Sequence, residues 1–348
     1  MAVIAPNGLG HFRRVIRQLD GLHLAHPRLE LGVVCAPWQL EATHGWLPAN
    51  RLLVGNPRVA LAELPDTFRW VNDAGAYDEA RLSGWVATLE RIRWLGAARR
   101  VLSDNLAGVL GWRPDAALGG SFLWSDVLGP FAPRNPAVLR FVERERELLA
   151  SCRPFLLCAA DLVMPSAVRQ TRSVPLPWLC EWWLERREPT RTIGLLGGAT
   201  GTLATRMAKI ARALLGAGDV ELRAERELKR TQFAAEPRVA AFTHDEAGYQ
   251  ALSLAFVRPG AGTLTDCVGA QVPMIALDEP ENLEMAHNAK VLARLGIGEV
   301  LDSDEAAVRL ALENLGRGRW EARVAALAGL KKDGVQRAVD WLANWVGA

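Results

Sequence analysis

The run Val257-Arg258-Pro259-Gly260-Ala261-Gly262-Thr263-Leu264-Thr265-Asp266 holds the residue types best placed for chemistry. An apolar strand stops at a glycine-spaced turn, and a helix opens through Thr263 and Thr265. Backbone N–H groups at such a helix start hold a phosphate or another anion. Asp266 falls about one turn in, where a carboxylate can accept from the hydroxyls of a ribose. A second glycine turn, Gly197-Gly198-Ala199-Thr200-Gly201-Thr202, follows the apolar run 193–196. A third, Gly8-Leu9-Gly10-His11, follows the first apolar run of the chain. Three strand–glycine turn–helix units, two of them in the second half, point to nucleotide-dependent chemistry in a cleft between two α/β domains.

Single residues around the turns extend that chemistry. His11 stands at a helix start, where a neutral imidazole can act as general base; a capping or structural histidine is the plainer reading. Gly8 and Gly10 leave room for substrate beside the loop, and Asn7 is a further contact. Arg13 and Arg14 either reach phosphate or face water. The run 100–103 ends at Asp104-Asn105, where Asp104 can orient His11, bind an acceptor or cap a solvated loop. Trp124, in the loop 121–126, offers a ring for a sugar to stack on unless it is buried. Thr200, Gly201 and Thr202 supply donors to a diphosphate, and residues 260–263 supply a second set. Such donors replace a metal, so no metal is expected, and Asp302-Ser303-Asp304 reads as a solvated helix cap. A Gly-x-Ser-x-Gly elbow and a phosphate loop ending in Gly-Lys-Ser or Gly-Lys-Thr are both absent, which argues against ATP hydrolysis.

Bulk properties narrow the class. The 348 residues suffice for two domains, and with 50% hydrophobic and 23% charged residues the chain reads as globular. A net charge of +2 from 41 basic and 39 acidic residues lacks the basic excess of a nucleic-acid binder. Five cysteines form no Cys-x-x-Cys pair, and their odd number argues against a disulfide framework. The first apolar run follows the initial methionine directly and no window approaches a membrane span, so a cytoplasmic protein is expected. Thirteen tryptophans are many for this length. Trp178, Trp182 and Trp183 lie beside Arg186, Arg187 and Arg191, and Trp320, Trp341 and Trp345 lie in the tail. Packing between domains accounts for them, and so does a peripheral contact with the inner membrane face.

The elements that must position these residues alternate in type. Strands are expected at 2–5, 29–36, 100–103, 116–118, 155–159 and 162–163, with helices at 11–24, 81–95 and 136–149. Residues 37–70, with four prolines, read as irregular. In the second half, strands at 193–196, 220–223, 239–242, 254–257, 274–277 and 298–301 alternate with helices at 202–215, 245–253, 263–270 and 282–295. Short apolar strands between longer helices indicate parallel sheets covered on both faces. The expected domains are 1–165, a proline-marked linker at 166–189, and 190–330. Residues 331–348 form a last helix that can pack back across the domain junction.

At three places the chain resembles the two-domain GT-B glycosyltransferases, nearest the bacterial N-acetylglucosaminyltransferases that form lipid II and the UDP-glycosyltransferases more broadly. The places are the 8–11 turn, the 197–201 turn and the span 258–289. In the last, Arg258-Pro259-Gly260-Ala261-Gly262-Thr263 resembles the family's glycine turn, and Asp266 stands where a ribose-binding glutamate is usual. Val272-Pro273 resembles its Gly-x-Pro segment with Gln271 in place of glycine, and Glu284 with Asn288-Ala289 resembles its Gln-x-x-x-Asn-Ala segment. The resemblance implies two Rossmann-like domains facing each other across a cleft. It implies inverting transfer of a sugar from a UDP-sugar to a hydroxyl acceptor, the acceptor being a sugar or a lipid-linked molecule, with no cofactor. Gly198, Thr200, Gly201, Thr202, Arg258 and Gly260 through Thr263 fall to the diphosphate. Phe242 and Thr243 fall to the base, Asp266 to the ribose, and Glu284 and Asn288 to the donor sugar. Arg258 has the alternative of pairing with an acid. His11 and Asp104 are the catalytic candidates; Asn7, Gly8, Gly10, Arg14, Asn105 and Trp124 lie on the acceptor side. A sugar-nucleotide hydrolase or a non-catalytic binding partner of the same fold remains open.

Overall fold

The structure, a computed structural model, describes every residue except 67, 69, 186–189, 198–202, 302 and 317–318, together with all side chains but those of 314, 316, 319 and 320 in the described part. The chain divides into two compact units. One is Met1–Leu179 with Asp333–Ala348, and the other is Cys180–Lys332.

The first unit is built on seven parallel strands: β1 (Ala2–Ile4), β2 (Leu31–Cys35), β3 (Val59–Glu63), β4 (Leu102–Asp104), β5 (Ala117–Gly119), β6 (Phe155–Ala159) and β7 (Arg172–Leu176). Their order is β3-β2-β1-β4-β5-β6-β7. The order reverses between β1 and β4, and ligands of open α/β sheets collect outside the strand C-termini at such a point. β1 and β2 are apolar throughout and fully buried, as a sheet covered on both faces demands. On one face lies the helix Leu9–Ala25, whose Phe12, Val15, Ile16, Leu19 and Leu22 repeat at helical spacing and are buried. The C-terminal helix Gly334–Val346 joins the same core through Ala338, Val339 and Leu342. The other face carries an aromatic core that includes Phe68, Trp85, Phe122, Trp124 and Phe131.

Four expectations for this half are corrected. Residues 37–70 hold the helices Pro37–Ala42 and Leu47–Leu53 and the edge strand β3. Pro37 and Pro48 stand in first helical turns, where the missing N–H has no intrahelical partner to lose, so they start helices. The helix expected at 81–95 is three short ones, Glu79–Ser83, Val86–Arg91 and Arg93–Gly96, broken at Gly84 and at the extended Ile92. Residues 162–163 are a turn and no strand, while 165–176, read as linker, form the helix Pro165–Gln170 and the strand β7. Pro175 fits there because β7 is an edge strand with one side free of ladder bonds.

The second unit has six parallel strands: β8 (Thr192–Leu196), β9 (Glu221–Ala224), β10 (Val239–Ala241), β11 (Leu254–Val257), β12 (Met274–Leu277) and β13 (Gly298–Leu301). Their order, β10-β9-β8-β11-β12-β13, is the doubly wound pattern with its reversal between β8 and β11. β8, β11 and β12 are buried at every position. Met207, Ile210 and Leu214 of the helix Ala204–Ala217 pack on them. No helix among the described residues is long and apolar enough to cross a membrane.

The tryptophans are used within the units. Trp178 is buried and donates to Asp161 Oδ2 at 2.9 Å. Trp341 meets Phe155 edge-on and stacks on Trp345. Trp183 is 63% exposed, with its indole N–H donating to the Lys332 carbonyl.

Candidate functional site

In the first unit the candidates gather where β1 and β4 end side by side. The turn after β1 is held by Gln39, which no sequence signal marked. Its Nε2 donates to the carbonyls of Ala5 and Gly8, each at 2.9 Å, and its Oε1 accepts from the Ala36 N–H at 3.1 Å. Asn7 is committed to structure as well, its Oδ1 accepting the Trp70 N–H at 2.6 Å. Gly10 lies in the first turn of Leu9–Ala25, which also brings His11 and Arg14 to the end of β4.

His11 Nδ1 stands 2.7 Å from Asp104 Oδ2. The other carboxylate oxygen, Oδ1, accepts from Arg14 Nη2 at 2.6 Å and Nε at 3.1 Å. Asp104 has no exposed surface. Burial alone would raise its carboxyl, but the charges of Arg14 and His11 and their hydrogen bonds outweigh it and hold the group below the usual carboxylate range. The ionised Asp104 therefore takes the Nδ1 proton of His11 as its hydrogen-bond partner, which leaves the Nε2 lone pair as the acceptor. Nothing among the described residues bonds Nε2. The ring is 9% exposed and meets Phe122 edge-on at 6.2 Å. A carboxylate-oriented imidazole of this kind has the geometry to accept a proton from a hydroxyl.

Asn105 follows in the left-handed region, φ 55°, and donates from Nδ2 to the Phe122 carbonyl at 3.3 Å. Gly120 opposes it at φ 142°, and a Cβ there would lie 1.5 Å from Asn105 Oδ1, so only glycine fits. Trp124 is buried and packs on Phe68 and Phe122 at 4.5 and 5.2 Å, so the expectation of a sugar-stacking face is corrected. Asn105 Oδ1, Ser121 Oγ and Trp124 Nε1 are buried polar atoms in this layer without hydrogen-bond partners among the described residues. Beneath it Glu145 Oε2 accepts the Ser125 N–H at 2.5 Å. Burial pushes the Glu145 carboxyl up to about 7, against the hydrogen bonds from Ser125.

In the second unit the turn at 197–202 follows β8, and Gly198, Thr200, Gly201 and Thr202 lie outside the described residues. The turn after β11 is described. Asn288, fully buried, donates from Nδ2 to the Pro259 carbonyl at 2.9 Å, and Gly260 N–H closes on the Arg258 carbonyl at 2.7 Å. The helix Ala261–Gly269 starts there, so the N–H groups of Ala261, Gly262 and Thr263 have no partner within it. Asn288 Oδ1 is buried and has no hydrogen-bond partner among the described residues.

Arg258 does not stand free for a diphosphate. It forms a two-point ion pair with Glu279, Nε to Oε2 at 2.6 Å and Nη2 to Oε1 at 3.3 Å, with both side chains 12% exposed. The pair cancels the charge and fastens the acidic 278–282 loop to the turn. Asp266 is buried and accepts from the Tyr249 hydroxyl at 3.4 Å. Tyr249, which carried no sequence signal, meets Phe242 edge-on at 5.0 Å, and His244 meets Phe242 at 4.9 Å. Thr243 Oγ1 donates to Asp245, the cap of the next helix, at 2.9 Å. Glu284 is buried in the first turn of Leu283–Arg294, below the cap Asn282. Asp304 pairs with Arg206 at 2.6 Å. Among the described residues no three His, Cys, Asp or Glu side chains converge on a metal-sized site.

Residues 214–317 match the glycosyltransferase family 28 C-terminal domain. Solved structures share the fold over nearly the whole chain. A UDP-glucosyltransferase from Polygonum tinctorium capable of glucosylating indoxyl, in complex with 3,4-dichloroaniline, aligns with TM-score 0.68 at 11% identity, covering 100% of this chain and 98% of its own. The glycotransferase of kitacinnamycin aligns at 0.65 and 13%, covering 99% and 98%. The spinosyn rhamnosyltransferase SpnG complexed with thymidine diphosphate aligns at 0.64 and 16%, covering 99% of each. No curated protein matches the chain by sequence. The likenesses establish the fold, which is that of the GT-B glycosyltransferases, and the family 28 match falls within the second unit.

Proposed function

We propose that the protein transfers a sugar, with inversion, from a nucleoside-diphosphate sugar to a hydroxyl acceptor, with UDP as the first choice of nucleotide. The observation that carries this reading is the buried Asp104 that orients His11 and is itself neutralised by Arg14. The acceptor O–H gives its proton to His11 Nε2 as its oxygen bonds to the anomeric carbon. The bond from that carbon to the diphosphate breaks, and the nucleoside diphosphate leaves. Asp104 stabilises the imidazolium that forms. Direct attack by the acceptor, from the side opposite the leaving group, inverts the centre.

The second unit receives the leaving group. The open N–H groups of Ala261, Gly262 and Thr263 suit a diphosphate, and residues 198–202 are assigned to the same task. Phe242 and Thr243 are assigned to the base, Asp266 to the ribose, and Glu284 to the donor sugar. Arg258 and Asn288 act as positioning residues that hold the turn. The thymidine diphosphate on one fold relative and the UDP-sugar chemistry of another support a pyrimidine nucleotide.

Calorimetric titration with UDP, TDP, GDP, ADP and NAD tests the donor site, followed by transfer assays with UDP-sugars. UDP is expected to bind best, and His11→Ala to keep nucleotide affinity while losing transfer. Failure of every nucleotide to bind sinks the donor assignment. Sugar release to water with no acceptor makes the protein a hydrolase, and an unchanged rate in His11→Ala removes the base.

A further inference from the structure

The first unit holds a cavity of about 630 Å³ far from His11, at the N-terminal ends of the strands. It opens beside Leu31 and Gly32 at the start of β2 and Leu102 at the start of β4, whereas His11 and Asp104 mark the other ends of β1 and β4. Leu19, Leu22 and Leu342, buried in the core, underlie its floor, and its partly exposed apolar wall is Leu29, Trp94 and Trp345. Indoles close two sides. Trp94 lies so tightly over β2 that a Cβ on Gly32 would be 2.3 Å from its ring, which explains the glycine in an otherwise branched strand. Trp345 is pinned by Arg100, whose Nε donates to its carbonyl at 3.1 Å and whose guanidinium covers its ring at 5.5 Å.

The rim is cationic. Arg100 has Asp115 within 3.7 Å, so its charge is answered. Arg58 and Arg99 are exposed and have no carboxylate partner among the described residues; Arg58 only touches the Arg28 carbonyl, at 3.3 Å. Glu30 is the one acid on the rim against these two arginines. The size falls within the roughly 300–1,000 Å³ of small-molecule sites, and an apolar interior with a few charged groups at one edge is their usual build.

We propose that this cavity binds an amphiphilic anion, with a hydrocarbon chain against Leu29, Trp94 and Trp345 and a phosphate or carboxylate head at Arg58 and Arg99. The chain gains by leaving water, and the guanidinium forks hold the head. Because the cavity lies at the opposite strand ends from His11, its ligand does not compete for the transfer site.

Calorimetric titration of the whole protein with octyl phosphate below its micelle concentration tests this, with octanol and inorganic phosphate as the two halves of the probe. Octyl phosphate is expected to bind at least tenfold more tightly than either. Arg58→Ala with Arg99→Ala should weaken it at least tenfold, and Ala97→Trp, at an exposed position lining the cavity, should block it. All three positions are exposed, so an unchanged melting temperature certifies that the variants are folded. UDP affinity should not change when octyl phosphate is present. Equal binding of octanol and octyl phosphate, untouched by the arginine changes, overturns head-group recognition. Phosphate binding as well as octyl phosphate overturns the chain, and no binding by any probe overturns the site.

Discussion

At Asp104 one carboxylate serves two partners, its Oδ2 facing His11 and its Oδ1 facing Arg14. Asp104→Asn keeps the shape but removes the charge that stabilises an imidazolium. The expected loss in kcat is roughly 10²–10⁴-fold, with nucleotide affinity in calorimetry unchanged. A parallel loss of affinity would mean that Asp104 holds substrate and does not merely orient the base. Glu145 is tuned in the opposite direction. Its carboxyl is pushed up to about 7 by burial, so between about pH 4.5 and 7 the folded chain keeps a proton that the unfolded chain releases. Its contribution to stability therefore falls as pH rises through that window, reaching a penalty of roughly 3 kcal/mol above it. Asp104, held low, works the other way, and its contribution is lost only as pH drops below the ordinary carboxylate range. Glu145→Gln keeps an oxygen for the Ser125 N–H and sheds the charge. Thermal melts should show the variant more stable than the parent by roughly 5–10 °C at pH 8.5 and little different at pH 5. A gap that does not depend on pH would show that ionisation at Glu145 is not the source.

The elements place these groups through a few buried polar pins. Gln39 ties the turn after β1 to the helix Pro37–Ala42 by three hydrogen bonds. Gln39→Leu fills similar space but leaves the carbonyls of Ala5 and Gly8 without this donor. A cost of about 2–3 kcal/mol is expected in denaturant melts, with a fall in kcat larger than any change in KM for the donor, since the turn leads into His11. These pins also mark where sequence reasoning stopped. Glycine turns at strand ends were legible because the need for close backbone approach writes itself into residue type, whereas Asp104 stayed open between orienting His11, binding an acceptor and capping a loop until β1 and β4 were seen side by side. Gln39, Glu145 and Tyr249 were not legible, because their roles rest on partners 17 to 34 positions away in the chain or on burial, neither of which leaves a local pattern. The 37–70 region was misread because proline has two opposite effects, breaking a helix inside and starting one at its first turn, and only the fold decides between them. Arg258 was open between an anion and an acid until the loop bearing Glu279 was seen beside it.

Across the whole molecule the first unit is made of two stretches of chain, since 333–348 returns to it after the second unit is complete. The return is fixed by an antiparallel bridge of Leu179 with Asp333 and by the Gly334 N–H on the Trp178 carbonyl at 3.1 Å. Ala338, Val339, Leu342 and Ala343 then bury themselves beside Leu19 and Leu22 of the helix that carries His11. Removing residues 333–348 uncovers that face, and burying two large apolar side chains and their neighbours is worth on the order of 5 kcal/mol. That is a large share of a domain's stability. The second unit has its own core, which among the described residues includes none from 333–348. A chain ending at 332 should therefore show one calorimetric transition shifted down by ten degrees or more while the other stays in place. It should lose transfer activity yet still bind UDP, because the His11 helix has lost its support while the turn after β11 has not. If both transitions fell together, the tail would be stabilising the second unit as well, and the two units could not be treated as separate folding bodies.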